Sequence, residues 1–319
     1  MNAIVRGRSF VVGSALLLAV QNVFLRVLFA KSWLFGWYRV GGIVPANFEH
    51  SLLLLWMRSL VMVGLMLPLA PYLYGRTFAE LRALYPRSRL TLQVIGSGVT
   101  LFFTLILLYV AIANLATGVA IALFFLYPAF TPVLTRWILR ERFTILRAIA
   151  TVCAILGIAL TSPGLTNSSG GDVVVGVGAA LAAALIFSIH GIFAQICLKS
   201  LHPVPFTLAT FLTIVLLGGL WLPVLPLQIP KTIWLPLWVC CAVMAVLSIA
   251  AYTLSNFGIR DIGVTAAFLI GASSPMFTAM AAAIAIEELL LWRQWFGIAC
   301  ITAGIFLLGL EKMPRLVDD

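Results

Sequence analysis

Polar side chains inside long apolar stretches are the residues of this chain best suited to chemistry. Arg58 lies in the middle of one such stretch, and His190 lies inside another. An arginine presents two parallel N–H donors that fit a carboxylate. An imidazole has the unperturbed pKa nearest to neutral pH, so it can couple protons. Because an isolated polar group is costly within a membrane, such residues point to binding or pairing.

The composition indicates the elements that must position these residues. Of the 319 residues, 63% are hydrophobic and 9% are charged, whereas soluble domains carry about 25% charged residues. The apolar residues form blocks of about 20, which is the length of a membrane-spanning helix, without the alternation of a β-barrel. We predict an all-α membrane protein with ten transmembrane helices, near residues 9–30, 49–71, 91–112, 115–135, 144–163, 173–198, 205–225, 233–256, 263–286 and 293–310.

The net charge is +10, and the positions of the basic residues indicate the membrane topology. With the N-terminus in the cytoplasm, 14 of the 20 basic residues fall on the cytoplasmic side of the predicted spans. This positive-inside bias predicts that both termini are cytoplasmic, so we expect no nucleic-acid partner. The first apolar block is long and lacks a clear cleavage site, which favours a retained helix over a signal peptide. We expect a multi-pass protein of a bacterial-type plasma (inner) membrane.

The chain contains an internal repeat. Residues 109–160 align with 256–307 without a gap, at a spacing of 147, and ten of the 52 pairs are identical. The identical pairs include Pro128 with Pro275, a residue type that interrupts membrane helices. A repeat of this kind in membrane-grade sequence is typical of transporters built from two halves.

The two halves are predicted to have opposite orientations. A Gly/Ser-rich stretch at 164–171 follows the fifth predicted span and is typical of a linker. Because each half has an odd number of spans, the second half enters the bilayer reversed. We therefore predict one five-helix repeat at 1–163, a linker at 164–171, and an inverted five-helix repeat at 172–319.

Candidate substrate-binding residues lie near the centres of the predicted spans. Gln21 and Asn22 are central in the first span, and His190 occupies the repeat-equivalent place in the sixth. One interpretation places them on facing walls of a central cavity; the alternative is hydrogen bonding between helices, worth about 1 kcal/mol or less per contact. Arg58 either binds a substrate carboxylate or caps carbonyls of a broken helix. His190 either couples protons or is simply hydrogen-bonded, and uncoupled facilitation or exchange is the default.

The paired prolines predict breaks in two helices. Pro128 and Pro275 each remove one backbone hydrogen bond, and the freed backbone in a membrane must face protein or a water-filled cavity. Cavity lining and plain packing are both open for the neighbouring residues. The remaining candidates for substrate binding are Tyr109, Tyr127, Tyr252, Asn256 and Ser274.

Glu141 lies at the turn between the fourth and fifth predicted spans. At the start of the following helix it favours the helix dipole, and a cytoplasmic gate formed with neighbouring arginines is the functional alternative. The five cysteines all lie within predicted spans and have no metal-site spacing. We therefore expect no metal and no cofactor.

The repeated unit resembles the drug/metabolite transporter superfamily, and within it the EamA-type permeases with two five-helix repeats. The residues that carry the resemblance run from Ala111 to Ala159, and from Gly258 to Gly304 in the second half. Each contains a small-residue helix, a proline, a glutamate-led turn and a glycine-containing helix. Arg58 also lies where the family usually has an arginine. The first helix departs from the family, because Ala19-Val20-Gln21-Asn22 stands where Trp and Gly are common.

The resemblance implies a secondary transporter that moves small organic metabolites such as amino acids. It implies an exporter or exchanger that works by alternating access to a central cavity. The alternative is a channel or a membrane-embedded partner protein without carrier activity. An enzyme is not expected, because the sequence has no HExxH or GxSxG motif. The expected partners are a small-molecule substrate and the lipid bilayer, with the chain a monomer or a homodimer.

Overall fold

The chain is built mainly from α-helices in the computed structural model. The structure describes residues 3–29, 31–34, 38–45, 48–84, 88–114, 123–139, 144–161, 173–226, 229–286, 292–293, 295–297, 299–300 and 303–304. Its helices are α1 (Ala3–Phe29), α2 (Phe48–Leu73), α3 (Thr77–Leu84), α4 (Ser88–Asn114), α5 (Tyr127–Ile138), α6 (Ile145–Thr161), α7 (Val173–Cys197), α8 (Pro203–Trp221), α9 (Trp234–Ile262), α10 (Val264–Gly271) and α11 (Ser274–Ile286).

Six helices within the described residues are long and apolar enough to cross a membrane. They are α1, α2, α4, α7, α8 and α9, and they coincide with six of the ten predicted spans. Shorter apolar helical stretches lie at Ala148–Gly157 and Val264–Thr278. The linker at 164–171 and the start of the predicted fourth span lie outside the described residues, so the count of ten spans stays a prediction.

Two short strands pair with each other in the segment after α1. Strands β1 (Lys31–Leu34) and β2 (Tyr38–Gly41) pair in antiparallel register. The chain then turns back, so that the Gly42 N–H donates to the Val27 carbonyl at 3.1 Å and the Ile43 N–H donates to the Leu28 carbonyl at 2.9 Å. The residues that follow β2 therefore satisfy carbonyls that the end of a helix leaves without partners.

The helices of the two halves pack against each other in pairs: α1 with α9, α2 with α8, and α4 with α7. Helices α1 and α9 run antiparallel, because Arg6 near the start of α1 pairs with Asp261 near the end of α9. Further along α1, Gln21 is hydrogen-bonded to Ser248. The protein core therefore lies where the first half meets the second. One apolar cluster of this core contains Leu52, Leu55, Leu101, Phe102, Leu208, Phe211, Ala245 and Ile249.

The predicted ninth span is interrupted. Helix α10 ends at Gly271, and α11 begins at Ser274. A second discontinuity precedes it, because a single residue, Gly263, separates α9 from α10. Gly263 has φ 81°, a left-handed conformation that favours glycine. The N–H of Val264 donates to the Gln195 side chain of α7 at 2.6 Å, which caps the start of α10.

Candidate functional site

Arg58 is a deeply placed charge on α2. At 1.5 Å per residue it lies about 15 Å from the start of the helix and about 22 Å from its end. It is 7% exposed, in a helix whose neighbouring apolar residues are buried. Among the residues that the structure describes, it has no hydrogen-bond or salt-bridge partner, and its Nε atom is completely enclosed. This placement is unusual, because buried guanidinium groups are normally paired.

Two tyrosines and a cysteine lie near enough to Arg58 to be affected by its charge. Its positive charge acts on Tyr109 of α4, and on Cys241 and Tyr252 of α9. Burial by the surrounding protein desolvates both phenol groups, yet both tyrosines keep part of their surface accessible. The ring of Tyr252 also packs edge-on against Phe211 of α8, with centroids 4.9 Å apart.

His190 joins α7 to α4. Its Nδ1 atom lies 2.9 Å from the Ser97 carbonyl and 3.0 Å from the Ser97 hydroxyl. Because a carbonyl only accepts hydrogen bonds, Nδ1 carries the proton in this contact and donates it. The imidazole also stacks on Phe187, with ring centroids 5.7 Å apart. His190 is 6% exposed, and this pairing with α4 connects the two halves.

Tyr127 belongs to an aromatic cluster where α5, α7 and α10 meet. Its ring lies 4.8 Å from Phe187 and 5.0 Å from Phe268 between centroids, in edge-on contacts. Phe187 and Phe268 are parallel within 4° and 4.8 Å apart. Such contacts add about 0.5–1.5 kcal/mol each beyond burial. Through Phe187 the cluster continues to His190, so the structure brings Tyr127 and His190 into one group.

The amide side chains of α1 each contact a helix of the second half. The Ser248 hydroxyl of α9 donates to Gln21 Oε1 at 2.7 Å. Asn22 Nδ2 donates to the Thr278 hydroxyl of α11 at 3.4 Å, which is a long contact. Gln21 is 4% exposed, whereas Asn22 is half-buried. Gln21 and Asn22 therefore connect α1 to α9 and to α11, respectively.

Two further candidates each donate a hydrogen bond to another helix. The Ser274 hydroxyl, in the first turn of α11, donates to the Ala15 carbonyl of α1 at 3.5 Å. Asn256 of α9 donates to the Thr207 hydroxyl of α8 at 2.7 Å. Asn256 therefore joins two helices of the second half, unlike the pairs described above.

The prolines and Glu141 complete the predicted set. Pro128 lies in the first turn of α5, after residues Phe125 and Leu126 in a non-helical turn. Pro275 follows Ser274 in the first turn of α11. Each proline thus stands at a helix start, where its missing N–H removes no helical hydrogen bond. Glu141 lies outside the described residues.

The predicted residues form three groups. Arg58 and Tyr109 come together with Tyr252. Tyr127 and His190 come together through Phe187. Gln21 and Asn22 belong to α1, and Ser274 of α11 contacts that helix. Asn256 lies apart from α1. Sequence reasoning missed Phe211 and Cys241, because phenylalanine and buried cysteine are common in membrane helices and carry no signal of their own.

A polar cluster that joins α3 and the end of α2 to the start of α8 was also missed. The hydroxyl of Tyr74 donates to Glu80 Oε1 at 2.6 Å, and the backbone N–H of His202 donates to Glu80 Oε2 at 2.9 Å. The Tyr74 and His202 rings stack at 3.8 Å, tilted by 9°. One signal was available in the sequence, since Glu80 is the only acidic residue between Glu49 and Glu141.

The electrostatics of this cluster keep its hydrogen bonds in place. Burial lowers the pKa of His202, the charge of Arg260 lowers it further, and Glu80 opposes both effects. A neutral His202 accepts a long 3.4 Å contact from the Val204 N–H and so caps α8. The hydrogen bond to Glu80 raises the pKa of Tyr74, so the phenol stays a donor.

The described side chains are suited to binding a ligand. They include a cationic fork, aromatic rings, hydroxyls and amides placed between helices. Across the described ranges, no group of three or more His, Cys, Asp or Glu residues lies together. All five cysteines are free thiols.

The fold and the enclosed polar groups define a multi-pass helical membrane protein. The chain matches the EamA-like transporter family over residues 7–162 and again over residues 174–310. It belongs to the EamA-like transporter family. The protein is therefore a membrane transporter of small molecules.

Two known proteins are similar over nearly the whole chain. A protein of Synechocystis sp., named as an uncharacterized transporter, is 34% identical over 314 residues, which are 98% of this chain and 95% of that protein. A solved crystal structure matches 97% of this chain and 96% of its own, with a TM-score of 0.67 and 16% sequence identity. The second likeness concerns the fold alone.

Proposed function

We propose that the protein is a secondary carrier for small organic metabolites such as amino acids, working as an exporter or exchanger. The observation that carries this proposal is the position of its enclosed polar side chains. Pairs such as Gln21 with Ser248 and Ser97 with His190 lie where the first half meets the second. In carriers built from repeats, the boundary between halves holds the substrate and opens to each side in turn.

The proposal includes the full predicted topology: ten transmembrane helices in two inverted repeats, at 1–163 and 172–319, joined by a linker at 164–171. The six long helices support it, as do two family matches that begin and end near these boundaries. The distribution of basic residues supports cytoplasmic termini. A cyanobacterial relative favours a bacterial-type inner membrane.

The proposed substrate site contains polar and aromatic residues from both halves. Its members are Gln21, Asn22, Arg58, Tyr109, Tyr127, His190, Asn256 and Ser274. Their burial at contacts between helices supports the assignment. The helices that begin near Pro128 and Pro275 interrupt the walls of this site. Glu141 is proposed as a cytoplasmic gate because of its position in the sequence.

The protein acts on its substrate by translocation, without chemical conversion and without a cofactor, and its partners are the small molecule and the bilayer. It functions as a monomer or a homodimer. A channel is the competing function. Unlike a carrier, a channel does not need to enclose its substrate between two halves.

Counterflow in proteoliposomes tests the carrier. Vesicles loaded with an unlabelled panel of amino acids and small carboxylic acids are diluted into a trace of one labelled member. A carrier gives saturable uptake that internal substrate stimulates, whereas a channel gives unsaturated flux without stimulation. Uptake that is absent for every panel member, from protein shown to be folded, would contradict the proposal.

Two variants make the counterflow result specific. Gln21→Leu removes the hydrogen bond to Ser248 at the boundary between halves, and we expect it to reduce exchange. Gly64→Ala is the control, because a Cβ at Gly64 meets nothing within 4 Å. Equal exchange by both variants would remove Gln21 from the site.

A further inference from the structure

The predicted spans contain almost no acidic residue that could pair with Arg58. Of the ten acidic residues, only Glu49 falls within a predicted span, at its first position. Glu49 is nine residues from Arg58 on the same helix, which corresponds to about 13 Å along the axis. The acidic residues are Glu49, Glu80, Glu141, Asp172, Asp261, Glu287, Glu288, Glu311, Asp318 and Asp319.

An enclosed cation without a partner is unfavourable, so Arg58 must either find an anion or bind backbone carbonyls. No carbonyl within the described residues accepts a hydrogen bond from it. Of its three nitrogens, only Nε is both completely enclosed and unpartnered. The two terminal nitrogens, which form the fork that fits a carboxylate, are left to meet a ligand.

We propose that Arg58, Tyr109 and Tyr252 form an anion subsite that binds the carboxylate of the transported molecule. This inference rests on the proposed carrier function and names its substrate class: small organic anions and zwitterions that carry a carboxylate. Cationic molecules without a carboxylate are excluded, because the subsite repels them and none of the described acidic side chains pairs with Arg58.

The surroundings of Arg58 provide the other parts of such a subsite. The hydroxyls of Tyr109 and Tyr252 are hydrogen-bond donors within the field of the guanidinium. Both tyrosines keep accessible surface, and the Tyr252–Phe211 pair offers an aromatic wall to an apolar substrate body. Further enclosed hydroxyls without partners lie on the same helices α2, α8 and α9, at Ser59, Thr210 and Thr253.

The subsite also joins the two halves of the transporter. Arg58 and Tyr109 belong to the first half, and Tyr252 belongs to the second. A carboxylate bound by all three residues would therefore connect α2 and α4 to α9. Binding energy would depend on how the halves are arranged, as alternating access requires.

Matched probes separate this inference from the carrier function. Counterflow is measured with four molecules of one skeleton: 3-phenylpropanoate, L-phenylalanine, 3-phenylpropanamide and L-phenylalaninamide. A second set with the leucine skeleton (4-methylpentanoate, L-leucine and their amides) repeats the comparison. We expect the carboxylates to exchange and the amides to be at least about tenfold weaker, since only a carboxylate pairs with the guanidinium.

The Arg58 variants extend the comparison. Arg58→Gln should weaken carboxylate exchange at least about tenfold, and Arg58→Lys should weaken it less, because a lysine keeps the charge without the fork. Exchange of amides as efficient as that of acids would overturn the anion subsite and leave the carrier standing. No exchange of any probe would contradict both.

The stability of the substrate-free protein distinguishes binding from a structural role. Removing an enclosed charge that has no partner should leave the melting temperature of Arg58→Gln unchanged or higher. If Arg58 instead holds backbone carbonyls, the same variant should melt at a clearly lower temperature. That result, with Gly64→Ala melting like the parent protein, would overturn the proposal.

Discussion

Glu80 and Arg58 are two charged residues that the protein surrounds in opposite ways. Glu80 lies at the helix ends and accepts hydrogen bonds from the Tyr74 hydroxyl and the His202 backbone. Arg58 lies deep in α2 and has no such partner among the described residues. Glu80 is paired with groups of the protein itself, whereas we propose that Arg58 pairs with a ligand. On this proposal, the presence or absence of hydrogen-bond partners distinguishes a structural charge from a binding one, and burial alone does not.

The two regions also differ in what they connect. The Glu80 cluster joins the α2–α3 turn to the start of α8, on the same side of the helices as the Arg6–Asp261 pair. The Arg58 group lies about 22 Å from that end of α2. Substitutions in the first region should therefore change stability, and substitutions in the second should change substrate binding.

The largest expected effect on stability is that of Glu80→Ala. It removes both charge-assisted hydrogen bonds, and at a partly exposed site we expect a loss of about 2–3 kcal/mol in the free energy of unfolding. Thermal unfolding of the purified protein in detergent measures this loss. The control is Glu49→Ala, at the first turn of α2, where we expect less than about 1 kcal/mol. Equal losses would show that the Glu80 cluster is not a special contact.

A smaller effect is expected for Tyr74→Phe. The variant keeps the ring that stacks on His202 and removes only the hydroxyl that donates to Glu80 at 2.6 Å. We expect a loss of about 1–2 kcal/mol, because one hydrogen bond to a charged acceptor disappears. The double variant with Glu80→Ala should lose little more than Glu80→Ala alone. Fully additive losses in this double-mutant cycle would argue against the contact.

The sequence predicts the long helices well, since the bilayer sets their length. Helix α7, at Val173–Cys197, ends within one residue of its predicted span at 173–198. Helix α9 continues to Ile262, beyond the predicted end at 256. Its last turns carry Arg260 and Asp261. Because these residues are charged, hydropathy ends the predicted span before them, although their backbone is helical.

The candidate site was only partly predictable. The depth of Arg58 follows from its position within an apolar block, and so does its lack of an acidic partner. The Glu80–His202 contact joins residues 122 apart in the chain, and no local pattern records such a contact. The repeat alignment likewise relates His190 to Gln21, but it does not predict that His190 pairs with Ser97.

A still smaller effect is expected at the Arg6–Asp261 ion pair. Arg6 approaches both carboxylate oxygens, at 2.9 and 3.1 Å, but its side chain is 47% exposed while that of Asp261 is 8% exposed. We expect Arg6→Gln to cost about 0.5–1 kcal/mol, mostly at low salt, because solvent screens such pairs. Unfolding measured at low and high salt checks this. A loss that does not change with salt would point to packing instead of charge.

The smallest effect is the pH dependence caused by His202. Burial and Arg260 lower the pKa of the folded residue below its ordinary value of 6.5, so the unfolded chain binds the proton first as the pH falls. Stability should therefore decrease from pH 6.5 down to the lowered pKa and be level above 6.5. His202→Asn keeps an acceptor at the helix start and should flatten this part of the stability curve. An unchanged curve would exclude His202 as its source.

The single residue between α9 and α10 has a mechanical consequence. Gly263 allows rotation about its own φ and ψ and no other backbone torsion between the two helices. The Gln195 side chain of α7 accepts a hydrogen bond from the N–H of Val264, which restricts the movement of α10 relative to α7. Helix α9 carries Tyr252 and α10 carries Phe268, so these two residues lie on helices that are directly linked. We therefore expect a tilt of α9 at the proposed anion subsite to turn α10 and so to move the aromatic cluster.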